Sequence, residues 1–117
     1  MIVIKSIALI VAGLLGASGV AAAAALSHAG ADLLAPYALI ALTHAPALLA
    51  LGLVARTRIL SVTMLILALG AILFCADLAT RHFAGHGLFP MAAPIGGMLL
   101  IAGWLAVTLA GLAALRR

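Results

Sequence analysis

From Pro90 to Leu115 the chain carries no charged residue, a run longer than the roughly 20 apolar residues that cross a bilayer. The run opens Pro90-Met91-Ala92-Ala93-Pro94-Ile95-Gly96-Gly97 and continues through Leu100 to Gly103-Trp104. It reads as a transmembrane helix with a shaped entrance. Proline in a first helical turn lacks only an N–H that would be unpaired anyway, so Pro94 fits there. Gly96, Gly97 and Gly103 remove side chains where another helix could come close.

The rest of the chain is equally apolar. Of 117 residues, 68% are hydrophobic and 7% charged, too few charges to solvate the outside of a water-soluble globule. The formal net charge of +4 does not indicate nucleic acid, because the basic residues sit at hydrophobic boundaries, form no basic face and have few aromatic neighbours for stacking. Topology and lipid headgroups explain them better. The single cysteine, Cys75, excludes an intrachain disulfide and a thiolate metal cage, and reads as a small buried apolar residue.

Four spans are expected, at about residues 3–26, 36–55, 59–79 and 90–115 of a single membrane domain covering 1–117. Lys5, the apolar run and the small residues Ala21 to Ala25 also fit a signal peptide. The uncharged run is long for that, so a retained helix is expected. Its small residues form two i, i+4 ridges, Ala8-Ala12-Gly16 and Gly13-Ala17-Ala21-Ala25, that let neighbours approach closely. Pro46 leaves the Leu42 carbonyl without its usual donor and should bend the second helix. The short Arg56-Thr57-Arg58 segment makes helices two and three an antiparallel hairpin.

Four spans place both termini on one side, together with Lys5, Arg56, Arg58, Arg116 and Arg117. The positive-inside rule then puts both termini in the cytoplasm. The remaining polar residues gather on the outer side. His44 lies about 10 Å along its helix at 1.5 Å per residue, a depth at which an ionisable group is a functional candidate. With Asp77 it is a candidate ligand-binding residue. The alternative for His44 is a neutral imidazole bonded to a carbonyl near Pro46 or to a neighbouring helix. Asp77 and Arg81 have the spacing and order of a helical ion pair. His82 and His86 share i, i+4 spacing and, with His28, are candidate metal ligands, although Gly85 and Gly87 weaken a helix there.

No phosphate-cradling glycine loop, paired carboxylates or HExxH pattern is present, and no serine has a recognisable nucleophile setting. An enzyme is not expected.

Pro94-Ile95-Gly96-Gly97 followed by Gly103-Trp104 resembles the ending of small membrane proteins of domain-of-unknown-function family 423, which include the transmembrane protein 256 group. Leu15-Gly16-Ala17-Ser18-Gly19, Tyr37 with His44, and Leu73-Phe74 with Asp77-Leu78 agree, so the resemblance covers about Ile7 to Gly111. It implies four membrane helices and supplies no activity. The family often follows its first glycine motif with a histidine where this chain has Ala21. A site built on that histidine would be lacking here, unless His28 substitutes.

The expected protein is therefore all-α, an integral membrane four-helix bundle in a bacterial inner membrane, with no cofactor assigned. Its expected function is a non-enzymatic accessory or scaffold component of a membrane assembly, with lipid and other subunits or its own copies as partners and no nucleic acid. The second reading is a binding or transport protein for a metal ion, haem, quinone or small solute. Pro46, Asp77, Arg81, Pro94, Gly96, Gly97, Gly103 and Trp104 are the expected structural residues.

Overall fold

The computed structural model describes residues 2–117. Four helices account for its regular structure: α1 (Ile2–Ala29), α2 (Leu34–Val54), α3 (Arg58–Ala84) and α4 (Ala92–Ala114). In lipid the backbone must satisfy its own polar groups, and a helix does so within one segment. Even the shortest helix, α2, is about 32 Å long at 1.5 Å per residue, enough for a hydrocarbon core of about 30 Å. The outer surface carries Ile10, Leu14, Leu39, Leu69, Met98, Ile101 and Leu105. A soluble bundle would place polar residues there.

The helices pair as antiparallel hairpins. On α1, Gly16 faces Ala45, and a Cβ on Gly19 would stand 2.8 Å from the Leu42 side chain. Gly52, near the end of α2, meets Ala8 near the start of α1. The Ala8-Ala12-Gly16 ridge therefore makes the interface, with Val11, Leu15, Gly19 and Ala22 buried beside it. The second ridge does not serve this purpose: Gly13, Ala17 and Ala21 are exposed. One face of α1 already meets both α2 and α3, and that ridge lies outside it.

The α3–α4 hairpin is closer still. A Cβ on Gly96 would lie 2.7 Å from the Phe74 amide nitrogen and 3.0 Å from the Gly70 carbonyl oxygen. Two helices approach this closely only where side chains are absent. Leu67 sits over Gly103, where a Cβ would come 2.5 Å from its Cδ2. Gly97 differs from the expectation: a Cβ there would meet nothing within 4 Å. Facing neighbours select one glycine of the pair. The backbone of α4 comes close to that of α3 alone, while Leu48, Met64, Leu67, Ala71 and Cys75 form the centre of the core with α1 residues and Leu100 of α4.

Helix ends shift from their expected positions for local reasons. Helix α3 runs past Ala79 to Ala84, taking Arg81 and His82 into the helix, and Gly85 closes it in the left-handed conformation (φ 80°). The Asp77–Arg81 pair supports those extra turns. Helix α4 starts at Ala92 rather than Pro90, and Pro94 falls in its first turn as its chemistry requires. Helix α2 remains one continuous helix through Pro46.

Candidate functional site

His44 is the eleventh of the 21 residues of α2, so it lies midway along the span. Because α2 begins at Leu34, that is about 15 Å from the helix start, deeper than the sequence suggests. It shares the buried face of Ala41, Ala45 and Leu48 and is 6% exposed. The Trp104 indole Nε1–H donates to His44 Nε2 over 3.0 Å. The rings meet edge to face, with centroids 5.8 Å apart.

An indole nitrogen can only donate, so His44 Nε2 must accept and the ring proton belongs on Nδ1. Nδ1 lies 2.8 Å from the Ile40 carbonyl oxygen and 3.1 Å from Thr43 Oγ1. The Thr43 hydroxyl in turn donates to the Leu39 carbonyl at 2.7 Å. Both imidazole nitrogens are thus occupied within the chain. The partner carbonyl belongs to Ile40, not to Leu42, whose usual donor Pro46 removes.

A cavity of about 450 Å³ borders this joint and is walled by Ile40, Phe74, Gly97, Leu100, Leu105 and Thr108. It lies between α2 and α4, which do not pack against each other directly. The His44–Trp104 bond spans the gap. Gly97 keeps one wall open, which gives that glycine a place in the structure other than a close helix contact.

Asp77 is fully buried and makes a second constellation nearer the far end of α3. Its Oδ2 accepts from Arg81 Nε at 2.8 Å, the helical ion pair expected from the spacing. Its Oδ1 accepts from the Leu88 amide at 2.9 Å, which sequence spacing did not reveal. Gly87 stands so close that a Cβ would be 2.6 Å from Oδ1. Asp77 therefore ties the α3–α4 connection onto α3. His44 and Asp77 have separate sets of partners, and no hydrogen bond joins them among the described residues.

The three histidines proposed as ligands are also dispersed. His28 is exposed at the end of α1. His82 stacks edge-on against Phe83 at 4.7 Å, and His86 Nδ1 donates to the Gly87 carbonyl at 2.9 Å. Gly85 ends α3 between His82 and His86, so they do not share a helical face. Among the described residues no group of three His, Cys, Asp or Glu side chains could hold a metal ion.

Four helices of this length and apolarity, closed by small-residue contacts and one histidine–tryptophan joint, define a small integral membrane protein of the four-helix-bundle class. The chain belongs to the family described as "Protein of unknown function (DUF423)", which matches residues 15–97. That match includes His44, Asp77 and the Pro94-to-Gly97 entrance, and ends before Gly103 and Trp104, so it is narrower than the sequence resemblance. No curated protein and no solved structure matches the chain.

Proposed function

We propose that this protein is a non-enzymatic structural component of a membrane assembly, resident in a bacterial inner membrane with both termini in the cytoplasm. One observation carries the reading. His44, buried midway along its span, has both ring nitrogens bonded inside the chain, so it serves as a helix joint and presents no free base or ligand. Asp77 is likewise committed to Arg81 and Leu88. The protein offers packing surface: α4 lies at the edge of the bundle against α3 and exposes Met98, Ile101, Leu105 and Leu109, a face suited to other subunits or a second copy. The orientation follows from the basic residues at one end and the positive-inside rule.

The test is native mass spectrometry on protein extracted gently from its own membranes. Recovery with other subunits or in discrete multiples is expected. Consistent recovery of a bare monomer would overturn the assembly role.

The cavity beside Trp104 favours a second reading, a binding protein. Its lining is largely apolar, which suits a quinone-like ligand with a polar end better than a metal ion. A discrete small-molecule mass on the wild-type chain, lost in His44→Ala while the fold persists, would establish that reading.

A further inference from the structure

We propose that the basic end of the bundle holds the headgroup of an anionic phospholipid in a concavity between α1 and α3, lined by Ile4, Arg56, Arg58, Ser61, Val62 and Leu65. The concavity measures about 390 Å³. Its two sides differ in chemistry: Arg56, Arg58 and Ser61 supply charge and a hydroxyl, while Ile4, Val62 and Leu65 supply an apolar wall. A phosphate diester joined to acyl chains has the same division.

Charge placement separates this end from the other. Both acidic residues, Asp32 and Asp77, lie toward the opposite end, at the α1–α2 connection and in the later part of α3. The basic residue there, Arg81, is paired with Asp77. Arg56 and Arg58 have no acidic partner among the described residues, and Lys5 is on the same end of the bundle, near the start of α1. An anion in the concavity would meet two arginines and no carboxylate.

The turn that carries the two arginines is fixed. Thr57 caps α3, its hydroxyl accepting from the Leu60 amide at 3.3 Å and its carbonyl from the Ser61 amide at 3.1 Å. Arg56 and Arg58 flank this cap, so the positive end of a 27-residue helix adds to their field. Ser61 is 6% exposed and lines the concavity, so a polar side chain forms part of its floor. Basic pockets between membrane helices recognise anionic lipid headgroups through such combinations. The apolar wall favours a lipid over a free phosphate, whose binding it would not assist.

The experiment uses the full chain in nanodiscs of phosphatidylcholine with increasing phosphatidylglycerol, reading bound lipid by native mass spectrometry and thermal stability in parallel. Retained phosphatidylglycerol and a rise in Tm are expected. The Arg56→Gln/Arg58→Gln variant should bind about twenty-five-fold more weakly, since each arginine near a membrane surface contributes about a factor of five. The Arg116→Gln/Arg117→Gln variant should bind as the wild type does, because Arg116 borders a different concavity. Equal losses in both variants would replace a site with diffuse charge attraction and overturn the proposal. The same Tm rise with millimolar inorganic phosphate would assign the site to a free anion and overturn the lipid. Thiol protection of Cys75 verifies that each variant is folded, and an Arg56→Lys/Arg58→Lys variant that keeps binding supplies the charge-retaining control.

Discussion

Trp104 on α4 donates a 3.0 Å hydrogen bond to His44 on α2, although these two helices do not pack directly against each other. The bond crosses a mostly apolar gap at the middle of both spans. Water is scarce at that depth, so an indole N–H and an imidazole nitrogen without each other would each be costly to leave unpaired. The pair fixes where α4 stands relative to α2, while the glycine contacts fix how near it stands to α3.

Removing either partner should therefore loosen α4. His44→Ala and Trp104→Phe are expected to destabilise the protein modestly, and a double-mutant cycle should return a coupling of about 0.6 kcal/mol, with about 1.7 as the upper range for such bonds in membranes. Trp104 is the single tryptophan, so its fluorescence reports the same bond. In His44→Ala the emission should change without loss of helix content by circular dichroism. An unchanged spectrum and zero coupling would show that the two rings are merely neighbours.

The three α4 glycines should differ in a fixed order. Gly96→Ala drives a methyl into the Phe74 backbone, which cannot swing aside, and should cost about 1–3 kcal/mol. Gly103→Ala meets the buried Leu67 side chain rather than backbone, so a side-chain shift can relieve part of the clash, and it should cost less than Gly96→Ala. Gly97→Ala meets nothing and should be neutral or gain up to about 1 kcal/mol from helix propensity. Unfolding in mixed micelles gives all three. Equal costs at Gly96 and Gly97 would contradict the packing described.

Asp77 predicts a local effect in the connection after α3. Asp77→Ala removes the acceptor of the Leu88 amide as well as the partner of Arg81, and should cost about 1–3 kcal/mol. Asp77→Asn keeps an oxygen for Leu88 and should lose less. Hydrogen exchange of the Leu88 amide distinguishes the two roles: it should accelerate strongly in Asp77→Ala and weakly in Asp77→Asn. Equal exchange in both variants would mean that the carboxylate charge, rather than the acceptor, holds the connection.

Much of this was legible in the sequence because membrane solvation is a one-dimensional constraint. The four apolar runs, Thr57 between two arginines and the Asp77–Arg81 spacing depend on residues close together in the chain. The His44–Trp104 bond joins residues 60 positions apart, and no local pattern encodes it. A signal did exist: each residue is polar and lies midway along a span, on two helices that run in the same direction. The same limit explains Gly97. Only the position of α3 tells which of two adjacent glycines faces it, and the His82–His86 spacing likewise loses meaning once Gly85 ends the helix between them.

Cys75 offers a measure of the core that binds these elements together. It is buried in the cluster with Leu67, Ala71 and Leu100, and its thiol donates a long 3.9 Å contact to the Tyr37 carbonyl. A maleimide must be able to reach the thiol to react with it, and burial at this position denies that access. In gentle detergent the wild-type chain should label slowly, and in dodecyl sulfate at the rate of an exposed thiol. Gly96→Ala should shorten the protection time more than Gly97→Ala, because displacing α4 uncovers Leu100 and opens the cluster around Cys75. Rapid labelling of the folded wild type would show that α3 and α4 separate readily, and that the close glycine contacts do not hold the bundle shut.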